Sequence, residues 1–190
     1  MPDIYVIRGP NGAGKSTVAR GMLPGFIGVS HFVNADEIAK GLSGFAPESV
    51  AREAGRIMLK RLTFLAQQRM DFAFESTLAS RSFAPWLAGL QGEGYGVHIV
   101  YLWLRTPELA VQRVTSRVRS GGHDVAEEIV RRRYERGLRN FARLYAPFVD
   151  SWEVYDNSEL EPRIIAYGGR NETTKILESD LWSDICTRSA

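Results

Sequence analysis

Residues 9–17 read Gly9-Pro10-Asn11-Gly12-Ala13-Gly14-Lys15-Ser16-Thr17, and this stretch decides the fold of the 190-residue chain. It matches the phosphate-binding loop (P-loop) pattern G-x-x-x-x-G-K-[ST] in full, after a β-branched run at residues 4–8 and before a helical segment. Glycines let the backbone turn successive N–H groups towards phosphate oxygens, and the helix adds its positive end. The stretch therefore predicts a nucleoside triphosphate site, with ATP as the nucleotide.

The loop assigns a role to several side chains. Lys15 is expected to reach the β- and γ-phosphates, and the Ser16 hydroxyl is expected to bind Mg²⁺. Asn157 follows the fifth predicted strand, where the adenine base would lie. The predicted ATP-binding residues are Gly9, Asn11, Gly12, Ala13, Gly14, Lys15, Ser16, Thr17, Arg113 and Asn157.

Short apolar runs alternate with segments of helical period along the whole chain. The predicted strands are residues 4–8, 31–34, 71–75, 97–104 and 152–155, with a short sixth at 164–167. The predicted helices are residues 15–23, 35–41, 47–68, 83–92, 107–119, 125–145 and 173–185. Alternation of this kind implies parallel pairing with right-handed crossovers. We therefore expect an α/β fold: a three-layer α/β/α sandwich with a mainly parallel five-stranded sheet, forming one domain over residues 1–190.

Two carboxylates follow or end predicted strands, on the sheet edge where ligands of parallel sheets bind. Asp36 follows the second strand and is a candidate general base for an attacking hydroxyl. The alternative is that Asn34 or Asp36 only caps the next helix. Glu75 ends the third strand and is a candidate for the Mg²⁺ shell or for the acceptor, the alternative being a solvated strand end.

The segment after the third strand adds two candidates for an acceptor pocket. Thr77 and Arg81 lie close enough to Glu75 in the sequence to share that pocket. The predicted substrate-binding residues are therefore Asp36, Glu75, Thr77 and Arg81, and the predicted metal ligands are Ser16 and Glu75.

Arginines are concentrated between residues 113 and 143, where nine of them face four acidic residues, although the net charge of the chain is only +2. Two arginine-bearing helices joined by Gly121-Gly122 are what a closing lid needs, and we place this short helical lid at about residues 117–136. The candidate catalytic residues are Lys15, Asp36, Arg117, Arg133 and Arg136, with His123 as a hinge or capping residue. The alternative for the arginines is a solvated, salt-bridged helix face.

The amino-acid composition indicates the cellular compartment and the class of partner. No run approaches the roughly 18 apolar residues of a membrane span, and Cys186 is the only cysteine, so a reducing cytoplasm is expected. Nucleic acid is a less favoured partner, because the basic residues are clustered in one stretch and no aromatic stacking platform is evident.

Five motifs together resemble the zeta-toxin family of P-loop kinases. They are Pro10-Asn11-Gly12-Ala13-Gly14-Lys15-Ser16-Thr17, Asn34-Ala35-Asp36, Phe74-Glu75-Ser76-Thr77-Leu78, Gly121-Gly122-His123-Asp124-Val125 and Arg131-Arg132-Arg133-Tyr134-Glu135-Arg136. The resemblance implies a nucleotide-kinase-like sheet, of the P-loop nucleoside triphosphate hydrolase type. It also implies ATP- and Mg²⁺-dependent phosphorylation of a UDP-activated amino sugar, typically UDP-N-acetylglucosamine, on a sugar hydroxyl. It also implies Asp36 as the general base, Glu75 and Thr77 as sugar contacts, and an antitoxin-like inhibitor protein as a partner.

The residues leave alternatives open for the acceptor and for the output. One is a kinase that acts on a nucleotide, a polynucleotide end or an antibiotic-like alcohol. Another is a regulatory P-loop ATPase without an acceptor, since a P-loop alone does not separate these classes. A GTP switch is disfavoured, because the sequence has no Asn-Lys-x-Asp motif. An ATP-dependent phosphotransferase with a small alcohol acceptor is the function that the sequence favours.

Overall fold

The computed structural model describes residues 1–22, 28–122 and 124–189, and the sheet is its central layer. The strands are β1 (Asp3–Arg8), β2 (Phe32–Val33), β3 (Phe72–Ser76), β4 (Gly96–Trp103), β5 (Ser151–Asp156), β6 (Arg163–Gly169) and β7 (Glu172–Ile176). Their spatial order is β2-β3-β1-β4-β5-β6-β7. The first five strands are parallel to one another, while β6 and β7 pair antiparallel. The predicted five parallel strands are therefore present, and β6 and β7 extend the sheet beyond β5 to seven strands.

The helices are α1 (Lys15–Met22), α2 (Ala35–Leu42), α3 (Ala51–Gln67), α4 (Phe83–Gly92), α5 (Pro107–Arg119), α6 (Glu127–Asn140) and α7 (Ser179–Ser189). A 3₁₀ turn at Pro47–Val50 leads into α3, and α6 continues as a π-helix over Phe141–Tyr145. Across the described residues, no helix combines the length and the apolar character that crossing a membrane would take.

Alternate residues of the strands point to opposite faces of the sheet and build two cores. One core joins Ile4 and Val6 of β1 to α3, α4 and α7. The other joins Ile7 to Ala73 and Val100 and packs against α1 and α5, while α6 contributes side chains to both cores. Helices thus cover both faces, which confirms the three-layer arrangement.

The clearest departure from the predicted elements lies near the C-terminus. Residues 173–185 were expected to form one helix, but Glu172–Ile176 is β7 and the helix begins only at Ser179. The run Thr173-Thr174-Lys175-Ile176 is rich in β-branched residues, and a two-residue turn at 170–171 joins it to β6. Pairing with β6 therefore decides the conformation. The predicted end of the first helix, Leu23, lies outside the described residues.

Candidate active site

The P-loop lies between the end of β1 and the start of α1, and its glycines are required by the backbone. Gly12 and Gly14 have φ angles of 78° and 76°, in the left-handed region that favours glycine. A Cβ atom on Gly9 would lie 2.5 Å from the carbonyl oxygen of Leu102, and one on Gly12 would lie 2.7 Å from the carbonyl oxygen of Ala110. The loop therefore curls tightly beside β4 and α5.

Lys15, the first residue of α1, is buried beneath this loop. Its ammonium group donates a hydrogen bond of 2.9 Å to the carbonyl oxygen of Pro10 and lies 3.5 Å from Oε1 of Glu75. Burial lowers the pKa of Lys15, and the neighbouring Glu75 carboxylate acts in the opposite direction. The lysine is thus held across the loop, at the place where an incoming anion would replace Glu75 as its partner.

A second set of contacts joins Glu75 to the start of α1 and the end of β2. Ser16 donates from its hydroxyl to Oε2 of Glu75 at 2.6 Å, and Asn34 donates from Nδ2 to the same oxygen at 2.7 Å. The hydroxyl and carboxylate oxygens that Mg²⁺ prefers are therefore adjacent. The donor set fits Mg²⁺ held by Ser16 directly and by Glu75 directly or through water, beside the phosphates.

The structure shows that Asn34, and not Asp36, is the N-cap of α2. Oδ1 of Asn34 accepts from the backbone N–H groups of Asp36 at 2.8 Å and of Glu37 at 3.4 Å, so Asn34 is the N-cap of α2. The Asp36 carboxylate is left to line the cavity described next. Asn34 is a residue that the sequence-based site did not include, although an asparagine before an acidic first turn is a signal for a cap.

A cavity of about 370 Å³ opens over the P-loop and α2. Its lining residues are Gly12, Gly14, Lys15, Ser16, Thr17, Arg20, Asp36, Glu37, Lys40, Glu75, Arg113, Arg117 and Gly122. Five of these side chains are basic and three are acidic, a balance of +2 before any ligand binds. A concave, positively charged site of this size, next to the N-terminus of a helix, suits a compact polyanion.

Arg113 and Asn157 brace the P-loop. The Arg113 guanidinium donates two hydrogen bonds of 2.7 Å, to the carbonyl oxygens of Asn157 and Ser158. The amide of Asn157 is buried and donates a 2.7 Å hydrogen bond to the carbonyl oxygen of Ala13. Both side chains had been predicted to touch the nucleotide. In the structure their polar groups connect α5, the loop after β5 and the P-loop.

The lid arginines are placed differently from one another. Arg117 lines the cavity, and Arg133 on α6 lies 3.5 Å from the side-chain oxygen of Asn11. Burial lowers the pKa of Arg133, while the charge of Asp36 opposes that shift. Arg136 is exposed further along α6 and is not among the residues that line this cavity. His123, predicted as a hinge or cap, lies outside the described residues.

Thr77 and Arg81 follow β3 but do not line this cavity. Oγ1 of Thr77 accepts from the N–H of Ala79 at 3.4 Å, and Arg81 is exposed. Between them, Leu78 has a φ angle of 48°, which is rare for a leucine, and its carbonyl oxygen accepts from Asn140 at 2.8 Å. This loop is thus fixed against α6 in a strained conformation of the kind found at functional sites.

Comparison of the sequence with known families and proteins gives two matches. The chain matches the model of the zeta toxin family over residues 1–164. It is also 32% identical over 126 residues to an uncharacterized protein of Haemophilus influenzae (strain ATCC 51907 / DSM 11121 / KW20 / Rd), a match that covers 66% of this chain and 88% of that protein.

Solved structures resemble the fold across most or all of the chain. The AvrRxo1-ORF1:-ORF2 structure with ATP has a TM-score of 0.79 at 16% identity, and the match covers 100% of this chain but only 65% of that one. The toxin of the Streptococcus pneumoniae PezAT system gives 0.67 at 17% identity, with 99% and 86% covered. A gluconokinase from Sinorhizobium meliloti gives 0.52 at 12% identity, with 99% and 91% covered. Identities this low show the fold alone, and this chain spans less than two thirds of the AvrRxo1 chain.

Proposed function

Because the chain belongs to the zeta toxin family, we propose that it is a kinase that transfers the γ-phosphate of ATP, with Mg²⁺, to a hydroxyl group of a small acceptor. The observation that carries the proposal is the cluster of Lys15, Ser16 and Glu75 at the P-loop, with the carboxylate of Asp36 in the same cavity. The kinase folds among the structural neighbours support it.

The P-loop binds the triphosphate in this proposal. Backbone N–H groups of residues 9–17 and the N-terminus of α1 surround the phosphates, and Lys15 turns from Glu75 towards the β- and γ-phosphates. Ser16 and Glu75 would hold Mg²⁺, which would supply neutralisation of the phosphate charge. Arg113 and Asn157 support the conformation of the loop. Arg113 donates to the carbonyl oxygen of Asn157, and the Asn157 amide donates to the carbonyl oxygen of Ala13 within the loop.

Asp36 accepts the proton of the attacking hydroxyl. Asn34 supplies the helix cap, so the Asp36 carboxylate has no competing capping bond to the backbone. Its side chain lies in the cavity with Lys15 and Arg117. Both cations can stabilise the charge that develops on the transferred phosphoryl group, as can Arg133 beside Asn11. Arg136 would contact that group only after α6 moves, so its catalytic role requires closure of the lid at residues 117–136.

For the acceptor we propose a UDP-activated amino sugar, with UDP-N-acetylglucosamine as the first candidate. Family membership is the support for this choice. In this proposal Glu75 contacts the sugar near the transferred phosphate, and the loop that carries Thr77 and Arg81 holds the rest of the molecule. An antitoxin-like inhibitor is the proposed protein partner, since the structural neighbours include the PezAT toxin–antitoxin system. We also propose that residues 1–190 act as one domain in the cytoplasm.

The experiment is transfer of label from γ-labelled ATP to a panel of UDP-sugars, aminosugars, nucleosides and oligonucleotide 5′ ends. We expect the label to appear on the UDP-sugar. This transfer should be lost in the Lys15→Met variant and, for the wild-type protein, when Mg²⁺ is omitted. Label on oligonucleotide ends instead would assign the acceptor to the nucleic-acid class. Hydrolysis of ATP without transfer to any acceptor, stimulated by a protein partner, would contradict the kinase assignment and indicate a regulatory ATPase.

A further inference from the structure

Arg8 is the last residue of β1, directly before the P-loop, and its side chain is 1% exposed. In the sheet it is in register with Ser76 of β3 and Tyr101 of β4. The side chain crosses to β4, where the centre of the guanidinium lies 3.3 Å from the centroid of the Tyr101 ring and 5.6 Å from that of Phe141. A full positive charge is thus enclosed among aromatic rings, one residue away from Gly9.

Arg8 has no opposite charge beside it. Its Nε and Nη1 atoms are buried without a hydrogen-bond partner, and among the described residues no carboxylate lies within ion-pair distance of its guanidinium. Burial lowers the pKa of Arg8, opposed only by the nearby tyrosines. Fully buried arginines are normally paired, because an isolated buried charge is costly. An apolar side chain of similar length would pack in this position at a lower cost in stability.

A glycine on α6 makes the room for this guanidinium. A Cβ atom on Gly137 would lie 2.5 Å from Nη2 of Arg8 and 2.6 Å from the carbonyl oxygen of Thr77. Gly137 lies inside a helix, where glycine is less favourable than alanine. Its φ angle is not in the left-handed region, so the need is for space and not for an unusual backbone conformation. Gly137 therefore leaves room both for the buried cation and for the carbonyl oxygen of Thr77.

The charge of Arg8 differs from that of Lys15 in what surrounds it. Lys15 lies 3.5 Å from the Glu75 carboxylate, which offsets much of its field. The field of Arg8 is not offset locally, and in a protein interior of low dielectric constant it extends to the neighbouring loop. An anion bound on that loop would be the counter-charge that Arg8 lacks.

We propose that Arg8 is a positioning residue whose uncompensated positive charge, at the end of β1 directly before the P-loop, strengthens the binding of the triphosphate, an inference that rests on the proposed nucleotide function. The guanidinium does not touch the nucleotide. It acts at a distance, so its effect grows with the number of negative charges on the ligand. It also costs the protein stability, which the bound anion restores.

The test is calorimetric titration of ATP, ADP and AMP, with Mg²⁺ and at constant ionic strength, together with the melting temperature of each variant. In Arg8→Met, ATP affinity should fall about tenfold, ADP affinity less and AMP affinity least, while the melting temperature stays equal or rises. Arg8→Lys, which keeps the charge, should stay within about threefold of wild type. Arg69→Met is the matched control, because Arg69 stacks on Tyr95 at 4.9 Å and lies outside the cavity over the P-loop. It should leave all three affinities unchanged.

Equal ATP affinity in Arg8→Met and wild type would overturn the proposal. So would an equal loss of affinity for all three nucleotides with a lower melting temperature, which is what a purely structural role produces. If Arg8→Met does not fold, Arg8→Gln provides the same comparison. Failure of both neutral variants to fold would show that the guanidinium holds the fold together, and would also overturn it. Absence of ATP binding by the wild-type protein would contradict the proposed function as well, whereas wild-type binding that Arg8→Met retains contradicts the Arg8 inference alone.

Discussion

The hydroxyl oxygen of Ser16 lies 2.6 Å from Oε2 of Glu75, so the second residue of α1 donates a hydrogen bond to the carboxylate near the end of β3. The same oxygen accepts from Asn34, and the other oxygen of Glu75 lies 3.5 Å from Lys15. Glu75 therefore contacts both side chains, Ser16 and Lys15, with which the P-loop is proposed to bind Mg²⁺ and phosphate. In the proposed function these contacts would be exchanged for contacts with the metal and the phosphates.

Glu75→Gln should affect binding and turnover in opposite directions. Without Mg²⁺, ATP should bind a few-fold more tightly, because a negative charge beside the phosphates has been removed. With Mg²⁺, phosphate transfer should fall by about 10- to 100-fold, because a group that holds the metal has been lost. Titration in EDTA and initial rates in Mg²⁺ measure the two effects. Glu153→Gln on β5, outside the cavity, should change neither, and weaker ATP binding by Glu75→Gln in EDTA would contradict this account.

Asp36→Asn should remove the general base and leave the nucleotide site intact. We expect transfer to the acceptor to fall by about 10²- to 10⁴-fold, with ATP affinity within about twofold of wild type. The matched control is Glu37→Gln, since Glu37 lines the same cavity on the same turn but pairs with Lys40 at 3.0 Å. It should retain most of the activity. Full transfer by Asp36→Asn would remove Asp36 from the mechanism.

The sequence predicts the P-loop, the parallel sheet and its flanking helices because these depend on local patterns. The third predicted strand ends in Glu75, which is the last residue but one of β3, and Asp36 follows the second predicted strand, so both carboxylates could be located from the predicted strand ends alone. The sequence could not decide whether Asn34 or Asp36 caps α2, because both are good capping residues. Only the positions of the Asp36 and Glu37 amide groups relative to Oδ1 of Asn34 decide it.

The parts of the site that depend on distant contacts were not predictable in the same way. Arg113 is bonded to carbonyl groups more than 40 residues further along the chain, and Asn157 is bonded to Ala13 at the other end of the sequence. No periodicity encodes such pairs. The buried position of Arg8 is also a tertiary feature, since its side chain is accommodated by the absence of a Cβ at Gly137 on α6.

Asn157→Ala separates bracing of the loop from recognition of the base. If the amide braces the P-loop through Ala13, its removal leaves a buried carbonyl without its donor, and stability should fall by about 1–3 kcal/mol. ATP and GTP affinities should then weaken by the same factor. Titration of both nucleotides and chemical unfolding measure this, with Leu160→Ala, at a fully exposed residue of the same loop, as the control. A change in the ATP-to-GTP preference would instead assign Asn157 to the base.

Tyr145→Phe should reduce the alkaline sensitivity of the fold. Burial raises the pKa of Tyr145 from its ordinary 10 to about 12. The folded protein therefore keeps the phenol proton where the unfolded chain loses it, so this stabilisation is complete below pH 10 and is lost as the pH rises towards about 12. Between these values the free energy of unfolding should fall less steeply in the variant, by up to about 1.4 kcal/mol per pH unit.

Urea unfolding at several pH values measures the slope for Tyr145→Phe. At neutral pH the variant should lose about 1 kcal/mol, because the hydroxyl donates a 3.2 Å hydrogen bond to the carbonyl oxygen of Ser80. Tyr167→Phe, at a partly exposed tyrosine of β6, is the control. Parallel pH profiles for wild type and Tyr145→Phe would contradict the assignment.

Substitution of the α6 arginines should separate those that reach the phosphoryl group from those that face solvent. Arg133 is half-buried beside Asn11, so Arg133→Gln should lower the rate of transfer by about 10²- to 10³-fold. Arg136 is exposed one turn further along, and with α6 in the position described here Arg136→Gln should cost less than Arg133→Gln. Arg132→Gln is the control, because Arg132 is exposed on the same helix and should tolerate the change. Initial rates at saturating ATP compare the three variants.

Equal losses of activity in Arg133→Gln and Arg136→Gln would contradict this distinction. They would mean that α6 rotates or shifts during the reaction and brings both guanidinium groups onto the phosphate, because in the structure Arg133, unlike Arg136, lies against the P-loop.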